Sequence, residues 1–565
     1  MEQVVLSKCL STILLIIIMS PTYGFASQKL FHELIETTDQ RKITAIFDRA
    51  LSGNNIQNQR EALLGLGRIG DHSSTLKISP FLYSNQPDIR AMAAFALGIG
   101  NDPKAHNLLA MRIKVEKHPV VISRLLTAIG NIGDPKGAIS NILPFLNQQD
   151  PDIVAAACDG LTMAWSFHRE TVSIPNSTQV NRLLELVEKQ GVIAEHCLYT
   201  LSRLRTDVAL FDISQLQNIS QQLTSIESQV LAIRIIGAMK NRVFIEQLNQ
   251  LIQPENPLRI RAEAATAIAL LSENISEQDQ QKLRPSLQQL VADSSSLVKV
   301  NLISNLTLTT ENKSLTSIVN PLLDDNSQWV RQVAIMRLFA VNGSEMGGIF
   351  LKMVNSTDFL SQQLALQILR QYEMPDNQKY IEILSLSKHK GIKSIASRLL
   401  TDEDADAEVY GKPKKTITAS EAIEFAGKKL KIVTSKGTIT IQLLTSAAYT
   451  SANFYQLSMS GYYDGLIFHR VIANFVAQGG DPEGTGQGGP EYSVREELYP
   501  IEHKRGTIGI ATSGKDTGGS QFFFNNSDNI HLNNHYTVFA RITDGLNLID
   551  SIEVGDKILS ITEVR

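Results

Sequence analysis

Charge is sparse in this 565-residue sequence. Charged residues make up 19% of it, the formal net charge is −4, and no Lys/Arg-rich run could track a phosphate backbone, which excludes nucleic acid as an expected partner. Cysteine is scarcer still. Cys9, Cys158 and Cys197 are the three present, at spacings that match no zinc pattern. Cys158 and Cys197 read as thiols packed in helices rather than as a disulfide. Residues 27–401 hold no cluster of His, Cys or paired carboxylates at catalytic spacing, so chemistry is not expected there. Disorder is excluded too, because 43% of the residues are apolar.

Long apolar runs are missing after the N-terminus. Leu10 to Met19, broken only by Ser11 and Thr12, falls short of the roughly 20 residues that a bilayer requires. Lys8 precedes the run, Pro21 ends it, and Gly24, Phe25 and Ala26 place small residues where a signal peptidase cuts. Residues 1–26 are therefore expected to be an export signal. The mature protein is then soluble and exported, in a bacterial periplasm, or anchored at its N-terminus if the signal is not cleaved. Cys9 precedes the apolar run and so is no lipid acceptor.

The chain is too long for one compact core. Residues 60–71 (REALLGLGRIGD), 90–102 (RAMAAFALGIGND) and 124–134 (RLLTAIGNIGD) are apolar helices that run into glycine, the residue that takes a left-handed C-terminal position without strain. An aspartate then caps the next helix. Pro87, Pro119 and Pro151 stand 32 residues apart, each opening a helix where a missing N–H costs little. Such spacing marks stacked helix pairs, and the pattern resembles HEAT-type repeats, so residues 27–401 are expected to form an all-α HEAT-like solenoid. Fainter copies stand at Ile260–Ala264, Trp329–Ala334 and Lys393–Ala396.

Residues 402–429 open on an acidic run and lack apolar periodicity, which reads as an exposed linker. From Leu430 onward the apolar period changes to two. Residues 430–434 and 438–443 are strands facing across a short turn, and a helix carries Phe454 and Leu457 on one face. Two glycine motifs mislead. Residues 484–489 (GTGQGG) match a dinucleotide fingerprint as a string, yet Pro490 follows where a helix should continue. Residues 509–515 nearly spell a phosphate loop, but Asp516 stands where Ser or Thr would bind magnesium.

Three segments in order carry the function: residues 468–481 (FHRVIANFVAQGGD), residues 518–523 (GGSQFF), and His531-Leu532 followed by residues 536–539 (YTVF). With Asn453, Phe454 and residues 461–465, they make residues 430–565 resemble the cyclophilins. That resemblance implies an eight-stranded antiparallel β-barrel with two capping helices. It also implies peptidyl-prolyl cis-trans isomerase activity on proline-containing polypeptides, with no cofactor and no metal. Arg470 and Gln478 would be catalytic. Phe475, Val476, Thr512, Gln521, Phe523, His531, Leu532 and Tyr536 would bind substrate. His531 stands where many relatives have tryptophan, which implies weak cyclosporin binding. Tyr536 replaces a frequent histidine and Val476 a methionine. The helical repeats would supply a surface for clients or partner proteins. A module that only holds proline segments, or a scaffold with an accessory isomerase, are the competing readings.

Overall fold

A computed structural model describes residues 25–564 except 135–136, 174, 205–209, 274–276, 310–312, 344–345 and 402–411. The expected export signal lies outside these residues apart from Phe25 and Ala26, which open the helix Phe25–Asp39. Among the described residues no helix is long and apolar enough to cross a membrane.

The N-terminal part is a stacked helical array. Helices Ile56–Ile69, Pro87–Gly100, Pro119–Ile132, Pro151–Phe167, Gly191–Arg203, Ile226–Met239, Leu258–Leu271 and Ser296–Asn305 each pack on the next in that order, with shorter helices forming a second row. Pro87, Pro119 and Pro151 occupy the first turns of their helices. Gly70 and Gly133 end theirs at φ +69° and +62°, whereas the second repeat ends on Asn101 at +52°. An earlier glycine in each repeat has a separate purpose. A Cβ on Gly67 would lie 2.7 Å from Ala96 Cα, and one on Gly98 would lie 2.9 Å from Ala128 Cα. These positions set how closely neighbouring helices approach.

The C-terminal part is a curled antiparallel sheet. Its strands are β1 (Lys429–Thr434), β2 (Gly437–Leu443), β3 (Phe468–Ile472), β4 (Val476–Gly479), β5 (Thr507–Ile510), β6 (Phe522–Asn525), β7 (Val538–Asp544) and β8 (Ile558–Glu563). Their spatial order is β3-β4-β6-β5-β7-β2-β1-β8. Period-two alternation buries Leu430, Ile432, Ile439 and Ile441 on the inner face beside Phe454, Phe522, Phe524 and Phe539. Phe468 N–H donates to Asp556 O, and Ile558 N–H to Leu466 O, both at 2.8 Å, so chain from the two outer edges meets. Of the two capping helices expected, Ala448–Met459 packs on β7 and β8. The other short helical pieces described in this half are the 3-10 turns Thr445–Ala447, Ile530–Leu532 and Leu546–Ser551 and the helix Ala419–Phe425.

That last helix corrects the linker reading. Residues 412–429 join the sheet domain: Lys415 N–H donates to Ser493 O at 2.9 Å, and Ser493 N–H to Pro413 O at 3.0 Å. Thr418 and Glu421 form a capping box. Ile417 and Ala422 pack with Ala448, Tyr449 and Ala452. This apolar set is too small to show as a period. Residues 402–411 lie outside the described residues.

The two halves are joined along the array's inner row, which the sequence did not foretell. Arg41 forks onto Asp516 at 3.1 and 2.5 Å, and Arg68 donates to Leu498 O and Ser446 O at 3.1 and 3.2 Å. Arg259, 8% exposed, donates to Asn474 Oδ1 and Ser527 Oγ, each at 2.9 Å, and pairs with Glu227 at 2.6 Å. Farther along, Ser327 donates to Glu553 at 2.9 Å and Gln363 to Gly484 O at 3.2 Å. The array thus holds the sheet domain in its inner face.

Cys158 and Cys197 form a disulfide, against the expectation of free thiols. Their helices pack side by side and bring the Cα atoms to 5.3 Å, within bonding reach. Sequence spacing carries no trace of that proximity. The same helices share an ion pair, His196 Nδ1 to Asp159 Oδ1 at 2.5 Å.

Three outcomes are expected. The halves unfold as one unit in calorimetry, and Arg259→Ala lowers stability by about 1–3 kcal/mol by leaving buried Asn474 Oδ1 without its donor. Two separate transitions in the unaltered chain would contradict this coupling. Burial alone would lower the pKa of His196, but the charge and hydrogen bond of Asp159 outweigh it and raise the pKa from 6.5 to about 9. The pair's contribution is therefore complete below about pH 6.5 and is lost as pH rises through about 9. Urea unfolding from pH 6.5 to 9.5 should show a loss on the order of 2–3 kcal/mol, absent in His196→Gln.

Candidate active site

Strand register assembles the site. Arg470 on β3 is opposite Gln478 on β4, and Gln478 is opposite Phe523 on β6. Alternation turns Arg470 to solvent and leaves its neighbour His469 half-buried. Burial lowers the pKa of His469, which favours a neutral ring. Arg470 Nη1 donates to Gln478 Oε1 at 3.4 Å, and Gln478 Nε2 donates to Gln521 Oε1 at 3.0 Å. Gln521 Nε2 then donates to Gly486 O and Gly488 O at 2.9 and 2.8 Å. This chain of amides leaves Arg470 as a cation with its remaining N–H groups facing solvent.

Next to it lies an apolar patch distinct from the main core. Val476, Phe523 and Leu532 are buried there, flanked by Phe475, Ala511 and half-buried Tyr536. Arg470 Cζ is 5.6 Å from the Phe475 ring centre, a cation–π distance. His503 supports the patch from behind. Its ring stacks on Phe523 at 5.8 Å, its Nε2 donates to Tyr536 O at 3.1 Å, and its Nδ1 accepts from Asn525 at 3.2 Å. Burial lowers the His503 pKa to about 4, so the ring is neutral and this tautomer is fixed.

The helical array supplies the rim. His531 stacks on Phe475 at 5.5 Å, and its Nδ1 accepts from Tyr199 O–H at 2.5 Å. Burial lowers its pKa to about 3, with the Arg203 guanidinium adding to the effect, so His531 is a neutral acceptor. Phe167 stacks on His535 at 3.8 Å. Tyr199 and Phe167 belong to the two helices that the Cys158–Cys197 disulfide joins. The turn before Phe475 is also held: Asn474, at φ +52°, donates to Arg259 O and Glu263 Oε2 at 3.0 and 2.9 Å.

Nine of the ten residues singled out from sequence therefore fall on the amide chain or on the apolar patch and its rim. Thr512 sits apart from the apolar patch, beside Gln478 and Gln521 on a polar cavity. The loop 484–489 that imitates a dinucleotide fingerprint lines that cavity and accepts from Gln521. Sequence reasoning missed His503, Ala511, Tyr199 and Phe167. The last two are ordinary core aromatics by pattern, and only docking brings them here. Among the described residues no group of three or more His, Cys, Asp or Glu is placed to hold a metal.

Comparison with known proteins agrees with this geometry. A family profile described as cyclophilin type peptidyl-prolyl cis-trans isomerase/CLD matches residues 429–563. A peptidyl-prolyl cis-trans isomerase of Helicobacter pylori is 46% identical over 155 residues, which is 26% of this chain and 96% of that protein. Peptidyl-prolyl cis-trans isomerase B of Bacillus subtilis is 49% identical over 113 residues, 20% of this chain and 79% of that one. A crystal structure of a cyclophilin type isomerase from Cryptosporidium parvum is 33% identical, covers 24% of this chain and 98% of its own, and has a TM-score of 0.23. With the Helicobacter pylori relative matched along 96% of its length at 46% identity, and with the family profile on residues 429–563, the chain belongs to the cyclophilin-type peptidyl-prolyl cis-trans isomerases.

Proposed function

We propose that this isomerase accelerates X–Pro rotation in exported proteins, with Arg470 and Gln478 as its catalytic pair. The carrying observation is the placement of Arg470 and Gln478, 3.4 Å apart, beside an apolar patch separate from the core. Rotation about a peptide bond meets a barrier of about 18–20 kcal/mol because C–N resonance must be lost. The two X–Pro isomers differ by only about 0.5–1 kcal/mol, so a lower barrier suffices and no proton or bond need be exchanged. The patch of Phe475, Val476, Phe523, Leu532 and Tyr536 takes the flat proline ring. Arg470 donates to the prolyl nitrogen as it becomes pyramidal, a contact that the planar ground state cannot match. Gln478 holds the carbonyl oxygen of the residue before proline, and the backbone near Thr512 holds the main chain. Neutral His531 and His503 shape the pocket without titrating near neutral pH.

Export is supported by the apolar N-terminal run and by the Cys158–Cys197 disulfide, which suits an oxidising compartment such as the periplasm. We read the array as a HEAT-type solenoid that also docks clients. Its outer row carries Leu76, Met111 and Val115 at 62% exposure and Tyr83 at 54%. Exposed apolar side chains in such number suit unfolded chain. A second reading, in which the array is chiefly a cradle, is favoured by its occupied inner face.

Arg470→Ala should fold normally, since the side chain is exposed, and lower kcat/KM on a proline peptide by about 100-fold or more. Near-normal turnover would exclude Arg470 as the catalytic cation. Met111→Glu with Val115→Glu should lower the rate of proline-limited refolding of an unfolded protein relative to the rate on a short peptide. An unchanged ratio would favour the cradle.

A further inference from the structure

The polar cavity beside Gln478 and Gln521 has a volume of about 160 Å³. A cavity of ~150 Å³ admits a benzene-sized molecule, so there is space for one side chain. Its wall is mostly glycine backbone and neutral side chains. Two lining residues are charged, Lys412 and Lys414, and both are cations. Both precede the part of the chain that the family profile matches, 429–563, and so belong to this protein's connector rather than to the shared domain.

Geometry holds the two ammonium groups in place without neutralising them. Lys412 Nζ donates to Pro490 O at 2.8 Å, and Lys414 Nζ donates to Ser493 Oγ at 2.9 Å and to Asp516 O. These acceptors are neutral, and an ammonium has three N–H groups, so each lysine keeps at least one donor. Of the nearby acids, Asp516 is held elsewhere and Glu483 is shared among several cations. The Asp516 carboxylate is taken by Arg41 and by Glu496 N–H. Glu483 feels Arg398 and Lys390 as well as Lys412. The backbone pairing of residues 413–415 with Ser493 fixes the connector against the cavity rim.

Direction follows from the roles assigned above, on which this inference rests. The oxygen that Gln478 holds belongs to the residue before proline. The proline ring occupies the patch on one side of Gln478, so preceding chain leaves on the other, across Gln521 and Thr512. At about 3.3 Å per extended residue, one of the next residues reaches the cavity. We propose that Lys412 and Lys414 make the enzyme select substrates with an aspartate or glutamate two or three residues before the proline.

The test measures kcat/KM on the full chain by NMR exchange spectroscopy. The probes are hexapeptides with glutamate, glutamine or lysine at either position. The glutamate peptide should exceed the lysine peptide by about threefold to tenfold at low salt, and the gap should narrow at high salt. Lys412→Glu with Lys414→Glu should reverse the order. Because Lys414 also holds Ser493, Lys412→Glu alone is measured beside it and should shrink the ratio. Equal rates for the two peptides in the unaltered enzyme would overturn the proposal, and so would a preference that survives both variants. Turnover of none of the peptides would instead overturn the isomerase reading, and this inference with it.

Discussion

Asn474 occupies a turn of three residues between β3 and β4, and much of the site depends on how that turn is held. Its side chain exchanges hydrogen bonds with Arg259 and Glu263 of the array, while Arg234 pairs with Glu263 at 3.0 Å and donates to Asn474 O at 3.4 Å. Arg259, Glu263 and Asn474 are buried, where an unpaired polar group costs about 1–3 kcal/mol and an unpaired charge more, while Arg234 is half-buried at the edge. The network therefore acts as a whole. Its next residue is Phe475, which carries the cation–π contact to Arg470 and the stack on His531.

A second fixed unit meets the pocket from the other side. Helices Pro151–Phe167 and Gly191–Arg203 are joined by a disulfide and by the His196–Asp159 pair. They present Phe167 and Tyr199 to the loop 531–536. At the rim the small neutral imidazole of His531 is joined by a tyrosine from elsewhere in the chain, Tyr199, which stacks on it and donates to its Nδ1. The rim of the pocket is thus shared between two parts of the chain that are more than three hundred residues apart.

The chemistry explains why such a site tolerates sharing. In the mechanism proposed above no group has to exchange a proton or an electron pair, so its requirements are one cation, one amide and an apolar wall. Three of the site's histidines, at 503, 531 and 535, are held neutral by burial and serve as stacking surfaces and hydrogen-bond acceptors or donors. Arg470 and the connector lysines stand beside side chains that are mostly uncharged, although the Arg203 and Arg234 guanidinium groups also act on His531.

The sequence by itself determined the elements and the chemistry. Period-two apolar residues specified β1 and β2, proline at a 32-residue spacing opened three helices of the array, and the segments at 468–481, 518–523 and 531–539 held Arg470, Gln478 and the apolar residues Phe475, Val476, Phe523, Leu532 and Tyr536, but not Ala511. Those signals are local, so they survive in a one-dimensional reading. What tertiary structure alone decided was which surfaces meet. Cys158 and Cys197 look like unrelated core positions until their helices pack. Lys412 and Lys414 look like linker until Ser493 pairs with the backbone beside them, and Arg259 looks like a surface charge until Asn474 receives it. Such contacts depend on complementary shape and on the removal of water between distant segments, and neither leaves a period or a spacing along the chain.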